Sequence, residues 1–179
     1  YVPRHVQDSA RLLAGNVAYY LFISTLSVYA DFTRPIDEDS PVLTIDDETI
    51  EEVTGATYGP LKALCEQKGR EEIGDDRYAV LRPTYICGPG DSTDRFTYWP
   101  VRTSRGGEML WPGQPSNLVQ IIDVRDLASF VVHRVEQGDD ETYHTVDPAP
   151  PFSMADLLTA VRDRDLTLVR RHRRAVRLT

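Results

Sequence analysis

The run Ala18-Tyr19-Tyr20-Leu21-Phe22-Ile23-Ser24 decides the fold, since it is apolar almost without interruption. Such a run is typical of a strand buried on both faces of a parallel sheet. The next strand is predicted over 78–82, where Pro83 ends it, and a helical pattern covers 58–73 between the two strands. This alternation of strand and helix predicts an α/β fold with a mostly parallel sheet.

The remaining sequence continues the alternation. Further helices are predicted over 3–14, 94–105, 124–137 and 154–162, and further strands over 118–122 and 142–146. Asp123 and Gly138 are expected to cap the two ends of the helix over 124–137. Ser153 and Asp156 predict a capping box at the start of the helix over 154–162. A turn is predicted over 111–113.

Composition limits the class of protein. The chain has 179 residues, 41% hydrophobic and 27% charged, which is typical of one folded domain or a piece of a larger one. We recognise neither a transmembrane run nor a signal peptide, so the cytoplasm is the expected compartment. Cys65 and Cys87 stand in no metal-binding spacing, and we expect neither a disulfide framework nor a metal site.

Charge is unevenly distributed along the chain. The net charge is −8, which makes a nucleic-acid partner unlikely. Seven arginines and two aspartates nevertheless fall within residues 161–179, which we predict to be an Arg-rich tail separate from 1–160. Three interpretations of this tail stay open: non-native sequence from a changed reading frame, an exposed helix, or a basic patch for nucleic acid or anionic lipid.

Tyr58 and Lys62 are the strongest candidates for chemistry. Their spacing of four residues places both side chains on one face of the predicted helix. An ammonium group near a phenol favours the phenolate, so such a tyrosine can exchange a proton with a substrate hydroxyl or carbonyl. The chain has only two lysines, yet the pair alone is a modest signal, because chance also produces this spacing.

Hydroxyl groups follow the first strand. Ser24, Thr25 and Ser27 stand where it ends, and α/β folds place ligands at the carboxyl ends of parallel strands. Thr25 is positioned to bond a substrate oxygen beside the tyrosine. The alternative is that these hydroxyls satisfy backbone groups of the loop.

Four motifs in the same order resemble the extended short-chain dehydrogenase/reductase superfamily, and more closely its NAD-dependent epimerase/dehydratase family. They are Phe22-Ile23-Ser24-Thr25-Leu26-Ser27-Val28-Tyr29, Tyr58-Gly59-Pro60-Leu61-Lys62 with Cys65-Glu66, Leu81-Arg82-Pro83-Thr84-Tyr85-Ile86-Cys87-Gly88-Pro89-Gly90-Asp91, and Gln120-Ile121-Ile122-Asp123-Val124-Arg125-Asp126-Leu127-Ala128. The segment 94–99 resembles an atypical bacterial subgroup related to chloroplast stem-loop RNA-binding proteins.

The resemblance implies roles for individual residues. Tyr58 is expected to be the general acid/base, Lys62 to hold the cofactor ribose, and Thr25 to orient the substrate. NAD or NADP is the implied cofactor. Its expected contacts are Ser24, Tyr58, Lys62, Pro83, Thr84, Tyr85 and Ile86. The loop 88–91 is expected to face the substrate.

The chain departs from the family pattern in one respect. The family's glycine-rich dinucleotide loop is not found in the 179 residues. Gly88-Pro89-Gly90 is a poor substitute, because it lacks the third glycine and Pro89 has no backbone donor. We therefore predict a partial Rossmann-like fold, a doubly wound parallel sheet lacking its first strands, with part of a small C-terminal substrate domain.

The predicted function follows the family. We expect an NAD(P)-dependent oxidoreductase or epimerase in truncated form, whose small-molecule substrate is a sugar nucleotide or similar hydroxyl or carbonyl compound. A homo-oligomer is possible. The alternatives are a non-catalytic Rossmann-like module that binds RNA or protein, and an inactive remnant.

Overall fold

The computed structural model describes residues 1–110, 113–146 and 152–163. The chain divides into two compact units. The first comprises Tyr1–Thr84 and Leu127–Thr145, and the second comprises Tyr85–Asp126 and the described residues after Thr145. The α/β class and the parallel strand pairs predicted from the sequence are both present.

The first unit is built on a three-stranded parallel sheet. Its strands are β1 (Tyr20–Ile23), β2 (Tyr78–Pro83) and β6 (Thr142–Thr145), in the order β1-β2-β6. The central strand β2 is buried along its whole length. The prediction that β1 is buried on both faces is wrong: three of its residues are half-buried and Ile23 is 38% exposed. Among the described strands β1 lies at the sheet edge, where covering elements enclose side chains less completely.

Two helices of the first unit pack against each other, α1 (Pro3–Leu13) and α2 (Tyr58–Ile73). Both agree closely with the sequence-based boundaries, because Pro3 begins α1 and Gly74 ends α2. A small core of Ala10, Ile73, Tyr78 and Val80 lies among α1, α2 and β2. Residues 124–137 form α4 (Val124–Gln137), also as predicted.

Gly69 allows α2 to approach the sheet. A Cβ atom at this position would lie only 2.2 Å from Oη of Tyr78, a side chain with no exposed surface. We therefore expect Gly69→Ala to lower the free energy of unfolding by about 1–3 kcal/mol through overpacking. Denaturant titration would check this, with Gly15→Ala as the control, because no atom lies within 4 Å of a Cβ there. Equal stability of Gly69→Ala and the wild type would contradict the packing argument.

The second unit contains two small sheets. The strands β3 (Tyr85–Cys87) and β5 (Ile121–Asp123) are parallel, whereas β4 (Leu118–Val119) and β7 (Phe152–Ser153) are antiparallel. The predicted strand over 118–122 is thus two strands, since its two ends pair with different partners. An apolar sequence run does not reveal such a change of partner.

Of two helix predictions in the second unit, one is confirmed and the other gave a helix that is too long. The capping box of Ser153 and Asp156 is confirmed and begins α5 (Met154–Arg162). The helix predicted over 94–105 is shorter, α3 (Tyr98–Ser104). Asp94 has a φ of 53°, a left-handed conformation that a right-handed helix does not accommodate.

Two predictions fall wholly or partly outside the described residues. They are the turn over 111–113, of which only Gly113 is described, and the Arg-rich tail over 161–179, of which 161–163 are described. Of the helices that are described, none is long and apolar enough to span a membrane.

Candidate active site

Tyr58 is the first residue of α2. The adjacent Gly59 allows this end of the helix to lie against the loop after β1, because a Cβ at residue 59 would be 2.3 Å from the backbone oxygen of Ser27. Tyr58 is half-buried, and its ring lies 5.7 Å from the ring of Tyr1. The first turn of α2 therefore lies against the loop that begins with Ser24 and Thr25.

Lys62 lies one turn further along α2 and is buried, with 5% of its surface exposed. Its Nζ donates a hydrogen bond to the backbone oxygen of Ile23 at 2.7 Å and lies 4.1 Å from the centroid of the Phe22 ring. Burial lowers the pKa of this ammonium group, although the nearby Cys65 and Glu66 oppose the shift. The structure thus fixes Lys62 at the carboxyl end of β1.

Ser24 and Thr25 differ in how their hydroxyl groups are used. Thr25 Oγ1 accepts a hydrogen bond from the backbone N–H of Ser27 and donates one to Ser27 Oγ, so it satisfies its own loop. The role of Thr25 toward a substrate stays a prediction. Ser24 Oγ, in contrast, is buried with no hydrogen-bond partner among the described residues. A buried hydroxyl of this kind suits a ligand or a water molecule.

The other predicted cofactor contacts are divided between the two units. In the first unit, Pro83 ends β2, and the backbone N–H of Thr84 bonds the oxygen of Thr145 at 3.2 Å. In the second unit, Tyr85 is 45% exposed, and the guanidinium of Arg95 lies 4.7 Å from its ring centroid. Ile86 lines a cavity of about 190 Å³.

That cavity lies within the second unit. Its lining residues are Ile86, Cys87, Gly88, Pro89, Gly90, Asp91, Ser92, Arg95 and Val124. The loop predicted to face the substrate is therefore part of a concave surface. In the described part of the chain, no group of three or more histidine, cysteine or acidic side chains is arranged to hold a metal ion.

A buried polar network was missed in the sequence analysis. Arg82 makes two bonds to the Glu66 carboxylate, at 3.1 and 2.7 Å, and donates to Tyr29 Oη at 2.6 Å. The Tyr29 hydroxyl lies 2.5 Å from Nε2 of His144. Burial would lower the pKa of Arg82, but the bonds and charge of Glu66 raise it overall, so the guanidinium stays charged. The sequence held one sign of this network: Glu66 follows Lys62 by four residues and therefore lies on the same helix face.

His144 gives this network a pH dependence. Burial lowers its pKa below the ordinary value of 6.5, and nearby Arg82 acts in the same direction, while Glu38 and Asp37 oppose it. The unfolded chain therefore takes up the proton first as the pH falls. The stability contributed by neutral His144 is complete above about pH 6.5 and is lost as the pH decreases toward its lower folded-state pKa.

We expect His144→Gln to reduce the loss of stability between neutral and mildly acidic pH, because glutamine does not titrate. Unfolding free energies measured at several pH values would check this. His133→Gln is the control, since it removes a histidine from the exposed helix α4 while leaving the network intact. Equal pH dependence in wild type and His144→Gln would contradict the expectation.

Comparison with known proteins places the chain in a class. Its parallel sheet, with a tyrosine and a lysine four residues apart on the helix after β1, defines an α/β protein of the partial Rossmann-like class. The chain belongs to the NAD dependent epimerase/dehydratase family, whose model matches residues 3–146. No curated protein sequence matches it significantly.

Solved structures share the fold. UDP-glucuronic acid 4-epimerase from Bacillus cereus, in complex with NAD, is 16% identical with a TM-score of 0.68, and the match covers 89% of this chain and 51% of that one. dTDP-4-dehydrorhamnose reductase from Bacillus anthracis, in complex with NADP, is 18% identical with a TM-score of 0.69 and coverage of 90% and 53%. UDP-N-acetylglucosamine 4-epimerase from Bacillus cereus is 16% identical with a TM-score of 0.66 and coverage of 88% and 53%. The chain spans about half the length of these proteins.

Proposed function

We propose that this chain carries the proton-transfer part of an NAD(P)-dependent epimerase or oxidoreductase that acts on a hydroxyl or carbonyl group of a sugar nucleotide. One observation carries the proposal. Tyr58 and the buried Lys62 are one helical turn apart on α2, and the Lys62 ammonium is fixed on the backbone oxygen of Ile23, the residue before Ser24, whose buried hydroxyl has no partner among the described residues. The family match and the sugar-nucleotide enzymes with the same fold support it.

The residues present fit one end of a dinucleotide. Lys62 and Ser24 would hold the ribose next to the nicotinamide, because an ammonium group and an unpartnered hydroxyl suit ribose oxygens. The glycine-rich pyrophosphate loop is not among these 179 residues, so the proposal concerns the nicotinamide end alone. When bound, the nicotinamide accepts or returns a hydride.

The proton is transferred by Tyr58. Its phenol would take a proton from the substrate hydroxyl during oxidation and return it during reduction. Thr25 would bond the substrate oxygen once its hydroxyl turns away from Ser27. The loop 88–91 would contact the sugar nucleotide.

The test uses the full-length protein. It would be mixed with NAD or NADP and a panel of UDP- and dTDP-sugars, and both the nicotinamide absorbance and the sugar products would be measured. Turnover of at least one sugar nucleotide is expected. Binding of the dinucleotide without any turnover would favour a non-catalytic binding module, and absence of both would indicate an inactive remnant.

A further inference from the structure

We propose that Arg82 is the positioning residue for the Tyr58–Lys62 face of α2, an inference that rests on the proposed function of that face. Arg82 is 7% exposed and lies near the end of the central strand β2. It bonds Glu66, which is also 7% exposed and follows Lys62 by one helical turn. The pair connects α2 directly to the centre of the sheet.

The guanidinium uses most of its hydrogen-bonding capacity. Of its five N–H groups, Nε and one N–H of Nη2 bond Glu66, while Nη1 bonds Tyr29 Oη and the backbone oxygen of Glu38. Two parallel bonds to a carboxylate fix both distance and orientation. Arg82 therefore determines how α2 is rotated about its axis, as well as its distance from β2.

Three segments that carry the candidate site meet at this one cation. Glu66 belongs to α2, which carries Tyr58 and Lys62. Tyr29 ends the short loop that begins with Ser24 and Thr25. Arg82 itself precedes Pro83 and Thr84. Beyond Tyr29, His144 joins the network from β6, and its backbone N–H bonds the Glu38 carboxylate at 3.0 Å.

Lys62 depends on this geometry. Its Nζ reaches the Ile23 oxygen at 2.7 Å and the Phe22 ring at 4.1 Å only while α2 keeps its rotation, since both contacts are with β1. Rotation of the helix would move the ammonium off the ring. Loss of the Arg82–Glu66 pair is therefore expected to displace Lys62 even in a folded protein.

The experiment measures the position of Lys62 by NMR after selective lysine labelling. The chain has two lysines, so two signals are expected, and Lys68→Arg assigns them. The aromatic ring current of Phe22 shifts the ε-methylene protons of Lys62, whereas the Lys68 ammonium pairs with Glu48 and serves as a reference. This shift reports geometry rather than stability.

The decisive variant is Glu66→Met/Arg82→Met, which replaces the buried pair by apolar side chains without leaving a lone buried charge. In the folded variant, the Lys62 signal is expected to move most of the way toward the Lys68 position. Arg11→Met, which removes an exposed partner of Glu72 on the same helix, is the matched control and is expected to leave the Lys62 signal in place. An unmoved Lys62 signal in the folded double variant would overturn the proposal.

If circular dichroism shows that the double variant is unfolded, Glu66→Gln decides. Glutamine keeps the length of the side chain and adds no lysine signal, but its single amide oxygen cannot replace both carboxylate oxygens that Arg82 bonds. A displaced Lys62 signal supports the proposal, and an unmoved signal overturns it. In the full-length protein, the same variants are expected to lower kcat and to raise the Kd for the dinucleotide, because a displaced Lys62 no longer holds the ribose. If the wild-type enzyme shows no turnover, the proposed function fails, but the NMR result still decides whether Arg82 positions Lys62.

Discussion

Turnover is expected to fall by about 10²- to 10⁴-fold when Tyr58 is replaced by phenylalanine in the complete enzyme, the range typical of a lost general acid/base. Phenylalanine keeps the ring and its contact with Tyr1, but it cannot donate or accept a proton. The change is confined to the hydroxyl of a half-buried side chain. Stability and dinucleotide binding are therefore expected to change little.

The measurement compares kcat and the Kd for the dinucleotide in both proteins. Tyr98→Phe is the matched control, because Tyr98 is 47% exposed, lies in the second unit and belongs to none of the proposed contacts. A loss of kcat in Tyr58→Phe alone, with Kd retained, supports the assigned role. Turnover within threefold of the wild type would contradict the assignment of Tyr58 as the proton donor.

Local signals in the sequence predicted most of the elements. Helices with clear ends were placed well: α2 begins at Tyr58 and ends at Ile73 before Gly74, and α4 ends before Gly138, which has a φ of 68°. These ends depend on single residues whose conformational preference is strong. The Tyr58–Lys62 spacing likewise predicted a shared helix face, and the structure places Lys62 on the side of α2 near β1.

Properties that depend on distant partners were predicted poorly. The apolar run of β1 suggested complete burial, but burial depends on which elements lie beside the strand. The split of 118–122 into β4 and β5 depends on two different partner strands. The network around Arg82 joins residues 29, 66, 82 and 144, whose separation along the chain leaves no periodic signal. Of these four residues, only Glu66 had a signal in the sequence, because it follows Lys62 by four residues on the predicted helix.

Arg82→Met is expected to lower the free energy of unfolding by about 3–5 kcal/mol, because it leaves the Glu66 carboxylate buried without its partner. The side chains of Arg82 and Glu66 are 8% and 10% exposed, so water compensates little for the lost bonds. The two bonds to Glu66 and the bond to Tyr29 are removed together. Removal of an exposed pair partner through Arg11→Met should change stability far less, because water screens that pair.

A double-mutant cycle separates the interaction between Arg82 and Glu66 from the packing of each side chain. Denaturant titrations of Arg82→Met, Glu66→Met and the double variant give the coupling free energy between the two side chains. The double variant is expected to be more stable than either single variant, since neither charge is left alone in the core. If the double variant is also as stable as the wild type, the pair adds no net stability over apolar side chains, which agrees with a positioning role. Additive effects would instead mean that Arg82 and Glu66 contribute independently, and the connection from the sheet to the Tyr58–Lys62 face would lose its physical basis.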